Sequence, residues 1–122
     1  MSENTAPPKL EFFYLVLLKA GPKKDDIPQD KLMEIQHAHL GHIQHLAKQG
    51  KLIIAGPFMD APDELRGLFV LQADSLEEAQ ALTDADPAVQ AGRLSMQVIQ
   101  WGVQEGALDP LIEQVRRMAD DS

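Results

Sequence analysis

Two stretches of the chain are apolar on both sides of an extended backbone. In Leu10 to Leu18 (LEFFYLVLL), Phe12, Tyr14, Val16 and Leu18 alternate with Phe13, Leu15 and Leu17. In Arg66 to Ala73 (RGLFVLQA), Leu68 and Val70 oppose Phe69 and Leu71. Aromatic and branched apolar runs bounded by turn residues predict strands, here the first and third. A strand covered on one face would alternate apolar with polar, and these do not. KLIIAGP, residues 51–57, predicts a second strand ending at Gly56-Pro57, and LSMQVIQWGV, residues 94–103, a fourth.

Helical patterns fill the gaps. From Gln29 to Gln49 apolar residues recur at helical spacing, and Gly50 supplies the stop. The preceding PKKDDIP reads as a loop in which Asp26 caps the helix and Pro28 lies in its first turn. Ser75 with Glu78 is a capping-box signature that opens a helix through Ala79, Leu82 and Thr83. DPAVQAG adds a further turn, with Asp86 as cap, Pro87 at its first position and Gly92 as terminator. DPLIEQVRRMADDS predicts a C-terminal helix capped by Asp109, with Leu111, Ile112, Val115 and Met118 on one side.

The order β-α-β-β-α-β plus a terminal helix is the ferredoxin-like, split-βαβ pattern of an α+β fold with an antiparallel sheet. Right-handed crossovers put both main helices on one face of that sheet. The second face is equally apolar and needs a cover. The same face of another copy would close a two-sheet barrel in a homodimer, and the C-terminal helix is the rival cover. The expected organisation is an arm over residues 1–9, one domain over 10–102 and a helical extension over 103–122.

Composition narrows the function classes. With 122 residues, 44% apolar and 25% charged, the chain suits one modest core. A net charge of −8 argues against nucleic acid and anionic membrane as partners, since phosphate contacts need clustered Lys and Arg, and the longest such runs are Lys23-Lys24 and Arg116-Arg117. The absence of cysteine removes disulfides, thiolate nucleophiles and Cys-ligated metals. No basic segment leads into an apolar one near Met1, and Phe12 to Leu18 is too short to span a bilayer, so a soluble, cytoplasmic protein is expected.

All four histidines lie on the first helix. At roughly 100° per residue, Leu32, Ile35, Ile43 and Leu46 fall within about 40° of His39, which therefore centres the core-facing stripe. His42 lies about 60° to one side, and His37 and His45 point to solvent. The four do not form one cluster, and no HExxH pattern or outlying histidine suggests a metal site. An imidazole at the centre of the stripe is either a satisfied core group or a general acid/base lining a pocket between helix and sheet. The second role needs a carboxylate to hold the tautomer. Asp60, Asp84 and Asp86 are the candidates, and Asp86 is favoured because it is fixed where chain enters a helix.

HLGHIQHLAKQGKLIIAGPF, followed by SLEEAQALTDADPAVQAG and a closing VIQW, resembles the YCII-like family of the dimeric α/β-barrel superfamily. The resemblance spans about Phe12 to Trp101. It aligns His39 with the family's characteristic histidine and Asp86 with the aspartate of its Asp-Pro motif, and implies a His–Asp pair in a pocket. Relatives often carry an arginine where this chain has Gln36, so an anion-binding role at that position is not supplied here. The superfamily includes muconolactone isomerase-like and dehydrochlorinase-like enzymes that move protons on small ring-derived acids without a cofactor. The resemblance thus implies a lyase or isomerase in which His39 shuttles a proton and Asp86 orients it. Phe12, Tyr14, Pro57 and Met96 are candidate pocket walls, and Arg93 is the candidate cation for a small anionic organic ligand. A non-catalytic binding module with the pair as a structural latch is the competing reading, and solvent access to the imidazole separates the two. A cofactor-free monooxygenase rests on fold analogy alone.

Overall fold

A computed structural model describes residues 9–62 and 64–120. The expected arm over residues 1–9 falls, apart from Lys9, outside the described residues. The elements run β1 (Leu10–Ala20), α1 (Gln29–Lys48), β2 (Leu52–Pro57), β3 (Leu65–Leu71), α2 (Leu76–Asp84), α3 (Pro87–Gln90), β4 (Leu94–Gln104) and α4 (Asp109–Asp120). The four strands form one sheet in the order β2-β3-β1-β4, with every neighbouring pair antiparallel. This is the α+β arrangement expected from the pattern. Among the described residues no helix is long and apolar enough to cross a membrane.

One cap differs from expectation. Pro28, not Asp26, is the N-cap of α1, with extended φ −60 and ψ 149 and no side-chain cap. Its carbonyl accepts the first helical bonds, from the N–H groups of Lys31 and Leu32 at 3.0 and 3.1 Å. A residue before proline avoids helical geometry, so Ile27 is held out of the helix and Asp26 lies too far upstream to cap it. Asp26 instead closes a turn onto the Lys23 carbonyl. At α2 the Ser75 hydroxyl accepts from Glu78 N–H at 3.0 Å, and the Glu78 carboxylate reaches the Asp74 N–H, one residue beyond the usual box. The Lys51 ammonium and that N–H hold the Glu78 carboxyl below its ordinary value of 4.5. The stabilisation is complete above that value and fades as pH falls through the lowered one.

Apolar groups pack on both faces of the sheet. Under α1 and α2, Tyr14, Val16, Leu18, Phe69 and Leu71 meet Leu46 and Ala79. On the opposite face Phe13, Ile53, Val70 and Val103 are covered by Leu108, Leu111 and Ile112, from the segment leading into α4 and its first turn. The terminal helix is thus a real cover, at one end of this face. Further along it, Ile54, Ile99 and Trp101 remain 47%, 40% and 40% exposed, beside half-buried Leu15, Leu17 and Leu68. Each such residue left in water forfeits much of the roughly 1.5–3 kcal/mol that full burial would contribute.

The end of β1 fixes the segment that matters most below. Gly21 N–H donates to the Arg93 carbonyl and Lys23 N–H to the Gly92 carbonyl, each at 2.9 Å, clasping the turn between α3 and β4. A Cβ on Gly21 would lie 2.2 Å from the Gly92 oxygen, so only glycine permits this approach. Gly92 itself has φ +79 and terminates α3. Gly21→Ala is expected to lower the unfolding free energy by about 1–3 kcal/mol, read from urea denaturation.

Candidate functional site

His39 is carried on the sheet-facing side of α1 and is only 7% exposed. Its ring lies over Phe69 of β3, with centroids 6.2 Å apart and an interplanar angle of 18°. One turn on, His42 Nε2 donates to the Leu82 carbonyl at 2.9 Å and ties α1 to the end of α2. His37 and His45 are exposed, as the helix phase requires. Of the three candidate carboxylates, Asp60 and Asp84 lie at the surface and Asp86 is 0% exposed.

Asp86 serves two elements at once. Its Oδ1 accepts from Ala88 N–H at 2.8 Å and so caps α3, while Oδ2 lies 2.7 Å from His39 Nδ1. Burying a carboxylate is costly unless donors replace the lost water, and these two donors do so. The arrangement also fixes the imidazole: an ionised carboxylate only accepts, so Nδ1 carries the proton that it receives. Nε2 then holds the lone pair.

Nε2 is not sealed in the core. It has no protein partner, yet among the described residues no fully buried side-chain nitrogen or oxygen lacks one, so Nε2 is accessible. His39 lines a cavity of about 420 Å³ between α1 and the sheet. Leu18, Ile43, Phe69 and Leu94 form apolar walls, Gly56, Pro57 and Gly67 lie along the strands, and Gln36, Arg66 and Arg93 supply polar groups. A Cβ on Gly67 would stand 2.7 Å from the Gly56 carbonyl, so glycine lets β2 and β3 approach here.

The predicted pocket residues divide. Pro57 and Arg93 line this cavity with His39. Phe12, Tyr14 and Met96 do not. Phe12 and Tyr14 share a sheet face with Leu18 but lie nearer the other end of β1, whereas Met96 is level with Leu18 on the edge strand β4 and packs into the core instead. Phe12 is 56% exposed beside a separate hollow at the other end, with Glu11, Lys51 and Gln72. Tyr14 is buried in the core, and Met96 packs against the same cluster. Conversely, Arg66 escaped the sequence reading. Strict alternation puts it on the face opposite Gly67 and Phe69. In the structure Leu18 pairs with Gly67 and Lys19 with Leu65, a bulge that leaves Arg66 without a partner on β1. Bulges re-aim side chains next to sites, and no sequence signal marks this one.

Nδ1–H on a buried carboxylate and Nε2 toward a cavity is the arrangement of a base that can become a compensated imidazolium in place. Asp86→Asn tests the orientation. With Oδ1 still capping Ala88, the amide nitrogen would face His39 and donate to Nδ1. The ring is then expected to change to the Nε2–H tautomer, visible in imidazole ¹⁵N shifts, with about 1–3 kcal/mol of stability lost.

Comparison with known proteins places the chain. The YCII-related domain family matches residues 12–102. Protein YciI of Escherichia coli O6:H1 and that of Shigella flexneri are each 36% identical over 85 residues, covering 64% of this chain and 85% of theirs. Protein YjpA of Bacillus subtilis is 36% identical over 63 residues, covering 52% of this chain and 71% of its own. Among solved structures, the 5-chloro-2-hydroxyhydroquinone dehydrochlorinase TftG of Burkholderia phenoliruptrix, in complex with 2,5-dihydroxybenzoquinone, shares the fold. It superposes with a TM-score of 0.55 at 22% identity, over 73% of this chain and 92% of that one. The chain belongs to the YCII family.

Proposed function

We propose that this protein is a cofactor-independent lyase or isomerase acting on a small anionic organic molecule, with His39 moving the proton and Asp86 orienting it. The observation that carries this reading is the divided imidazole, with Nδ1 on a fully buried carboxylate and Nε2 at an open cavity. In the step, Nε2 takes a proton from a substrate carbon. The C–H electron pair passes into a double bond or enolate. Either a leaving group departs with its own pair or the proton returns to another carbon. The imidazolium formed in between is balanced by Asp86 without any rearrangement. Arg93, half-buried and held by a 3.4 Å bond from Nη1 to the Lys24 carbonyl, stands where it can meet the ligand's negative charge. The dehydrochlorinase of like fold binds a small hydroxylated ring, which supports this ligand class. Accessible Nε2 speaks against the latch, which has no use for an open nitrogen.

The test is proton exchange. In D₂O, loss of carbon-bound ¹H signals from a panel of cyclic carboxylic acids and hydroxyquinones, 2,5-dihydroxybenzoquinone included, is followed by NMR. At least one compound is expected to exchange about 10²-fold faster with the wild type than with His39→Gln. Equal rates with both proteins across the panel would leave the pair a latch.

A second copy is the proposed cover for the open part of the outer sheet face, where Ile54, Ile99 and Trp101 stand exposed. An apolar strip of this kind on one side of a sheet is what a self-complementary dimer contact uses. Sedimentation equilibrium is expected to give a dimer for the wild type and a monomer for Trp101→Glu. A wild type that stays monomeric at tens of micromolar would contradict it. The acidic chain is taken to bind neither nucleic acid nor membrane, and to act in the cytoplasm.

A further inference from the structure

The chain is acidic, with 19 Asp and Glu against 11 Lys and Arg, yet among the described residues no acidic side chain lines the cavity at His39. Its permanently charged lining groups are Arg66 and Arg93. Neither takes part in an ion pair with a described residue, whereas the other two arginines, Arg116 and Arg117, both pair with Glu113. Arg93 spends one donor on the Lys24 carbonyl and Arg66 has no side-chain bond of its own. Two guanidiniums kept clear of carboxylates beside an apolar cavity, in a protein with acids to spare, are matched to an anion that comes from outside.

Their places in the sheet say more. Arg66 sits in the bulge of β3 and Arg93 immediately precedes β4, and β1 lies between those strands. With neighbouring strands roughly 4.8 Å apart, β3 and β4 are about 10 Å apart across the sheet, and Arg93, level with Gly21, stands further along than Arg66, beside Lys19. Leu18 of β1 forms the floor between them, and His39 looks down from α1. Placed on different strands on either side of Leu18, the two arginines can each take one anionic group at opposite ends of a flat molecule lying over it.

We propose that Arg66 and Arg93 select a small planar dianion, one acidic group to each arginine, and that Arg66 is a specificity-determining residue of the site. This rests on the cavity being the ligand site proposed above, but it is tested by binding and not by turnover. Terephthalate, with carboxylates at both ends of a ring, and benzoate, with one, are titrated separately while the His39 Cε1–H resonance is followed. The wild type is expected to bind terephthalate about five- to tenfold more tightly than benzoate, with the difference shrinking in added salt. Arg66→Gln and Arg93→Gln are each expected to bring the two affinities together while leaving the Nδ1–H tautomer of His39 in place. Equal affinities in the wild type, a preference that survives Arg66→Gln, or no binding of either anion would overturn the proposal. Proton exchange that depends on His39 would stand in any of those cases, so a wrong ligand class is distinguishable from a wrong chemistry.

Discussion

Asp86 is a charged group with no access to water, and the site is organised around keeping it satisfied. Its two oxygens are shared between a backbone N–H that starts α3 and an imidazole that α1 must bring to within 2.7 Å. That demand sets the distance between α1 and α3 and the rotation of α1 about its axis. The clasp of Gly21 and Lys23 on the Gly92–Arg93 turn then fixes the far end of α3 to β1. The carboxylate therefore has little freedom to move away from His39. An imidazole held this way on one nitrogen has the other unengaged, and the residue lines the cavity between α1 and the sheet.

Much of this was legible before any coordinates. The uninterrupted apolar run of Phe12 to Leu18 is visible because a central strand packed on both faces admits no polar alternation. The helix phase around His39 is visible because Leu32, Ile35, Ile43 and Leu46 all point the same way. Asp86 stood out because an aspartate before proline at a helix start is a cap in its own right, and the same placement buries it against α1. The family was also legible, since its AGP segment carries the approach of Gly56 to Gly67 of β3, and DP-x-V-x-A-G the approach of Gly92 to Gly21.

What was hidden depended on irregularity. Arg66 reaches the cavity through a bulge, and a strand read at period 2 assigns it to the wrong face. Phe12 and Tyr14 are on the correct face but at the wrong distance along it, because alternation gives no coordinate along a strand, and Met96, level with Leu18, is drawn into the core from the edge strand. Asp26 failed as a cap because Pro28 keeps an extended conformation and so delays the helix by its own geometry. The cover of the outer face was undecidable from pattern, since Leu111 and Ile112 fit it as well as a second copy does. The structure divides that face, with one end under the terminal helix and the remainder open.

The central claim is that His39 is closed at Nδ1 and open at Nε2, and its reactivity tests this most directly. The native protein is treated briefly with diethyl pyrocarbonate, and acylation is mapped by peptide mass spectrometry. Exposed His37 and His45 give the rate of a free imidazole, and the same protein in denaturant gives the rate of His39 once its surroundings are gone. Despite its 7% exposure, His39 should be modified in the folded protein, at a rate nearer to those of His37 and His45 than to zero. A His39 that stays unmodified until the protein unfolds would mean that the pair is sealed, and the account of the site would be wrong.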